Sequence, residues 1–87
     1  MKRARLNGHS AIAEAVGSSL QEYLDKLDGE PADNLYDLVI GSVEKSLISD
    51  ILQRTKGNQS EAASMLGINR NTLRAKLDKH KIKLPQN

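Results

Sequence analysis

Gln59-Ser60-Glu61-Ala62-Ala63-Ser64-Met65-Leu66-Gly67-Ile68-Asn69-Arg70-Asn71-Thr72-Leu73-Arg74-Ala75-Lys76-Leu77 is the most informative segment of the chain. It has the grammar of a helix-turn-helix. Two short helices that meet steeply need small residues where they approach, and Ala62 and Ala63 supply them. The turn needs a residue that accepts positive φ, and Gly67 does. Leu66, Ile68, Leu73 and Leu77 are spaced to bury the inner faces of both helices. Lys76 falls where many such sequences carry an aliphatic residue, and Leu77 next to it can take that place. The outer face of the second helix is then Asn69, Arg70, Asn71, Thr72, Arg74, Lys76 and Lys79. Those side chains suit duplex DNA: Arg for guanine edges, Asn for adenine, Thr for phosphate or a thymine methyl, Lys for phosphate.

The caps frame this unit on both sides. Lys56-Gly57-Asn58 ends one helix and starts the next, with Gly57 suited to a left-handed C′ position and Asn58 paired with Glu61 as in a capping box. One short helix is expected over about residues 59–66, and Asn69 caps a last one over about 70–80. Ile82-Lys83-Leu84-Pro85 marks its stop.

Upstream, Ile12, Val16, Leu20, Leu24 and Leu27 recur every three or four residues, which predicts a first helix with Ser10 as N-cap and Gly29 as stop. Residues 1–9 show no periodicity and read as a mobile arm. Gly17 weakens that helix by up to about 1 kcal/mol relative to alanine, so packing must hold it. After Glu30-Pro31-Ala32, Asp33 or Asn34 is placed to cap a second helix over about residues 35–55, roughly 31 Å long. Its apolar residues (Leu35, Leu38, Val39, Ile40, Val43, Leu47, Ile48, Ile51, Leu52) occupy nearly every direction around the axis. A helix apolar all round must be buried all round, and one chain this small has too little else to cover it.

Size sharpens that point. Eighty-seven residues make one domain with a thin core. The chain has no cysteine, no Phe or Trp and two Tyr, so the core is aliphatic and no disulfide or thiolate metal site supports it. A second copy is the remaining cover. The expectation is an all-α, four-helix subunit in an intertwined homodimer, with Val16, Leu20, Leu24, Leu35, Val39, Val43 and Leu47 at the interface. Its regions are a flexible arm over 1–11, a helical dimerisation region over 12–56 and a helix-turn-helix over 57–84.

Charge divides the same way. Residues 53–87 carry eight basic side chains against Glu61 and Asp78, a net +6, whereas residues 1–52 carry five basic and nine acidic ones, a net −4. A basic lobe joined to an acidic one points to a nucleic-acid surface on one part only. Charge alone decides little, since solvated charged faces are common. The coincidence with the turn grammar is what outweighs an αα-hairpin that merely happens to be basic.

Enzyme function is the weakest reading. There is no cysteine nucleophile, no Gly-rich phosphate loop and no carboxylate–histidine pair in the sequence pattern. Asp25/Asp28 and Asp33/Asp37 read as helix-end and solvated charges, and Ser18, Ser19 and Ser46 have no histidine near them in sequence. His9 and His80 lie far apart without ligand spacing, so no metal, cofactor or small-molecule ligand is expected. No run of about 18 apolar residues exists to span a membrane. The basic start, Met1-Lys2-Arg3-Ala4-Arg5, is not followed by the apolar stretch of a signal peptide, and the chain reads as cytoplasmic.

Leu35-Tyr-Asp-Leu-Val-Ile, Val43-Glu-Lys, Gly57-Asn-Gln-Ser and Gly67-Ile-Asn-Arg-Asn-Thr-Leu-Arg closely resemble the Fis (factor for inversion stimulation) family of bacterial nucleoid-associated proteins. The resemblance covers roughly residues 12–82. It implies a homodimer built on the first two helices, with paired recognition helices closer together than one DNA turn. Such a dimer bends its site and compresses the central minor groove, which favours A/T-rich centres. It also implies transcriptional regulation, with RNA polymerase as a candidate second partner. Asn69, Arg70, Thr72 and Arg74 match the family's recognition-helix contacts, Arg70 being the principal base reader, and Asn58 and Ser60 match backbone-contacting positions. Glu61 and Ala75 depart from basic residues often found there, which removes phosphate contacts. Residues 1–11 are too few for the β-hairpin arm of family members that activate DNA inversion, so no recombinase activation is expected.

Two other readings compete. The C-terminal domain of an NtrC-type, σ54-dependent activator shares this helix-turn-helix and the wording Asn71-Thr72-Leu73-Arg74, but Met1 and the second helix favour a free-standing protein. A helical dimerisation module that binds no DNA predicts that Arg70 is dispensable.

Overall fold

The computed structural model describes residues 3–85, with side chains described from Ser10 onward. Four helices carry it in the order α1 (Arg3–Lys26), α2 (Leu35–Arg54), α3 (Gln59–Leu66) and α4 (Arg70–His80), and the described residues contain no strand. The chain divides into two compact units, Met1–Leu35 and Tyr36–Asn87.

In the first unit, α1 begins at Arg3, so Ser10 lies inside the helix and is not its N-cap. Of the arm expected over 1–11, residues 3–11 are helical, and residues 1–2 lie outside the described residues. Apolar periodicity reports burial rather than helicity. The sequence before Ser10 has no apolar pattern and contains no proline, while its Ala4, Arg5 and Leu6 favour helix. Val16, Leu20, Leu24 and Leu27 are half-buried along one stripe, and Ile12 is exposed. The helix ends in a turn in which Asp28 and Gly29 both take positive φ, 51° and 89°. Before α2, Asn34 has φ 56°, a left-handed conformation and not the extended backbone of the N-cap expected at Asp33 or Asn34.

In the second unit, three chain reversals close by the same device. At the end of α2, Gly57 N–H donates to Leu52 O (2.9 Å) and Lys56 N–H to Gln53 O (3.2 Å), the paired bonds of a Schellman motif. Lys56 (φ 54°) therefore holds the C′ position expected of Gly57, which follows it at φ 82°. At the end of α3, Ile68 N–H reaches Ala63 O (3.1 Å) and Gly67 N–H reaches Ser64 O (3.2 Å), with Gly67 left-handed at φ 77° as its sequence position demands. At the end of α4, Ile82 N–H reaches Leu77 O (3.0 Å), and Lys81 is left-handed at φ 53°.

These turns bring Ile48 and Leu52 of α2, Ala62 and Ala63 of α3 and Leu73 and Leu77 of α4 into one buried cluster, with Ile51, Leu66, Ile68 and Ile82 packed against it. Ala62 is wholly buried, which is why α3 and α4 can approach closely beneath it. Thr55 is buried by turning its hydroxyl back to Ile51 O at 3.0 Å. The core is aliphatic throughout, as the composition requires.

The all-round apolar character of α2 resolves into two stripes. Glu44, Ile48, Ile51 and Leu52 face α3 and α4. Tyr36, Ile40, Val43 and Leu47 share another side and remain 75%, 44%, 40% and 50% exposed, beside the half-buried Val39. Those four side chains are exposed among the described residues.

Candidate nucleic-acid interface

A side chain can present hydrogen bonds to a ligand only where its helix is held. Asn58, with extended backbone (φ −75°, ψ 102°), accepts from Glu61 N–H through Oδ1 at 3.0 Å and starts α3. The reciprocal half of a capping box is taken by backbone, since Asn58 N–H donates to Thr55 O at 3.0 Å. Asn69 does the same for α4, its Oδ1 accepting from Thr72 N–H at 2.7 Å. Both asparagines thus spend their side-chain oxygen on the protein. Their amide NH2 groups, on exposed residues, remain donors for a ligand.

The helices then sort the expected contacts. Ser60, Asn69, Arg70, Asn71, Arg74 and Lys79 are exposed, and Thr72 is half-buried beside its cap. Arg70, Arg74 and Lys79 make no ion pair among the described residues. Their guanidinium and ammonium groups are thus not neutralised among the described residues. Asp78, one of the two acidic residues of the basic lobe, shares this outer side with Arg74 one turn away.

Lys76 departs from the expected outer face. Its Nζ lies 2.7 Å from Glu44 Oε2 of α2, and its side chain is only 31% exposed. The other carboxylate oxygen, Oε1, lies 2.7 Å from His80 Nε2, whose side chain is 9% exposed. Lys76 and His80 are one helical turn apart on α4, so one carboxylate holds two successive turns. The hydrogen bond from His80, followed by that from Lys76, pulls the Glu44 carboxyl down from its usual 4.5 to about 2, against the opposing effect of burial. Sequence reasoning missed Glu44 and His80 because they are 36 positions apart. A signal was present: Glu44 sits four residues before the core residue Ile48, where a lone carboxylate needs a partner.

Comparison with known proteins now bears on this geometry. A family described as bacterial regulatory protein, Fis family, matches residues 40–80. The chain is 49% identical over 69 residues to DNA-binding protein Fis of Photobacterium profundum, which is 79% of this chain and 70% of that relative. It is 48% identical, with the same coverage, to DNA-binding protein Fis of Aliivibrio fischeri and of Vibrio cholerae. The chain belongs to the Fis family. In this Fis-family chain the matched span runs from Ile40, in the second turn of α2, to the last residue of α4. It therefore contains the whole buried cluster, both asparagine caps and the basic outer face. No helix among the described residues is long and apolar enough to cross a membrane.

Proposed function

We propose that this Fis-family chain binds and bends double-stranded DNA as a homodimer and acts as a nucleoid-associated transcriptional regulator in the cytoplasm, not as an enzyme. The observation that carries the reading is the outer face of α4, where Arg70 and Arg74 stand exposed and unpaired on a helix fixed by its own N-cap and by the buried Leu73 and Leu77. A rigid helix with free guanidinium groups is what the major groove reads. Arg70 is the base reader, Arg74, Asn71 and Thr72 adjoin it, and Lys79 supplies a phosphate contact. Ser60 and the amides of Asn58 and Asn69 complete the backbone contacts.

The bare stripe on α2 supports the dimer. Tyr36, Ile40, Val43 and Leu47 form a continuous apolar surface on a helix whose adjoining side is already packed against α3 and α4, and a second copy is its cover. Val16, Leu20, Leu24, Leu35 and Val39 are the further interface residues on this reading. Two-fold pairing sets two recognition helices on one duplex, and spacing below one turn makes bending the route to simultaneous contact. The family resemblance supports RNA polymerase as a second partner.

Arg70→Ala is the direct test. On a preferred duplex it costs about 1–3 kcal/mol and flattens sequence preference. Uniform weakening across all sequences would remove Arg70 from base reading.

A further inference from the structure

The Glu44–Lys76–His80 cluster is unused by the reading above, on which the following inference rests. Three features set it apart from ordinary surface ion pairs. Both contacts to Glu44 are 2.7 Å, and they use separate oxygens. All three side chains are at least two-thirds covered, with exposures of 22%, 31% and 9%. The carboxylate comes from α2, the scaffold helix that also supplies Ile48 and Leu52 to the core, whereas both of its partners come from α4. By contrast, Arg54–Asp50 and Lys26–Glu22 are exposed pairs within one helix.

The ring of His80 lies over Gly41, one turn before Glu44, where a Cβ would meet Cε1 at 3.8 Å, an ordinary contact. The carboxylate accepts, so Nε2 of His80 carries the hydrogen. Exposed Asp78 and Lys79 are the nearest other charges along α4, and neither pairs with this cluster.

Leu73 and Leu77 hold α4 against the core through apolar contacts, which are non-directional and define its rotation less sharply than hydrogen bonds do. Two directional bonds one turn apart fix that rotation, and with it the bearing of Arg70 and Arg74. We propose that Glu44 is a positioning residue for DNA recognition, aiming the recognition helix through Lys76 and His80, and that Lys76 is a clamp and not a phosphate contact.

Salt dependence and charge reversal test both halves. Binding of a fluorescent duplex with an A/T-rich centre is followed by anisotropy over a range of salt. A lysine that contacts phosphate contributes about one to the slope of log affinity against log salt, so Lys76→Met lowers the slope by about one if Lys76 touches DNA. The clamp predicts an unchanged slope with weaker binding. Glu44→Lys and Lys76→Glu each lower affinity roughly three- to tenfold, and the double variant Glu44→Lys/Lys76→Glu recovers most of that loss, as coupled neighbours do. A slope lowered by one, or a double variant no better than the worse single one, overturns the proposal.

Folding of each variant is checked by circular dichroism, and Lys76→Met, which introduces no buried like charge, keeps the slope test independent of the charge reversals. Should the unaltered protein bind neither this duplex nor a scrambled one at low salt, the DNA reading fails by itself. The clamp is then judged by whether the double variant restores the thermal stability that the single reversals lose. Failure to restore it overturns the clamp as well.

Discussion

Asn69 carries two possible roles that one substitution series separates. Its Oδ1 accepts from Thr72 N–H at 2.7 Å and caps α4, while the residue is exposed at the start of the proposed DNA-reading surface. Replacing an asparagine N-cap by alanine costs about 1 kcal/mol, within a range of roughly 0.5–2. Unfolding entropy near 2.1 cal/mol/K per residue gives about 180 cal/mol/K for 87 residues, so that cost lowers Tm by about 5 °C. Asn69→Asp keeps the accepting oxygen and adds a negative charge at the helix N-terminus, a favourable arrangement of about 0.3–1 kcal/mol. Its Tm therefore stays at or above that of the unaltered protein, while its affinity for duplex DNA falls because a carboxylate has entered a basic face. Melting is followed by far-UV circular dichroism at one fixed chain concentration, since the Tm of a chain that associates depends on concentration. An Asn69→Ala protein that melts with the unaltered one would refute the cap. An Asn69→Asp protein as destabilised as Asn69→Ala would do the same.

Leu73→Ala empties the centre of a cluster in which Leu73 is fully buried, and costs about 2–5 kcal/mol in urea unfolding; a loss below about 1 kcal/mol would mean the site collapses around the gap. Val43→Asp places a charge on the bare stripe of α2 and yields a folded monomer or an unfolded chain by sedimentation, and an intact folded dimer would refute the interface. Acid acts through Glu44. Its carboxyl is depressed in the folded state to about 2, so its contribution is complete above about 4.5 and is lost as pH falls from there towards 2. With partial solvent access that contribution is on the order of 1–2 kcal/mol. Glu44→Gln flattens the fall of urea midpoint across that interval, and an unchanged acid profile would show that other carboxylates set it.

What the sequence made legible was local. The bounds of α3 and α4 follow from Asn58, Gly67 and Asn69, residues whose side chain or φ acts within three positions, so a linear reading finds them. The start of α1 was misplaced because Ser10 looked like a cap where the apolar pattern begins, whereas helix continues through a segment with no apolar pattern. The Schellman turn at Lys56 was placed one residue late for a related reason: glycine is the usual left-handed residue, and here the pairing of Gly57 N–H with Leu52 O draws the lysine into that conformation.

Long-range chemistry was harder to read. Lys76 looked like one more cation on an outer face, and only the approach of α2 turns it inward onto Glu44. The all-round apolar pattern of α2 pointed to more cover than one neighbour gives. Which residues face the helix-turn-helix, and which stay bare, emerged only once Ile48 and Leu52 were seen in the core.

On the proposed function, this Fis-family chain binds duplex DNA electrostatically through the α4 face and prefers deformable centres. A fluorescence-anisotropy titration with an A/T-centred duplex and a scrambled control, repeated at several salt concentrations, tests it most directly. The account predicts a fall in affinity of about 10³–10⁵-fold between about 50 and 200 mM salt, as expected of 6–10 phosphate contacts, with the A/T-centred duplex preferred throughout. Absence of binding to either duplex at low salt would contradict it, and would leave a helical dimerisation module as the better description of the chain.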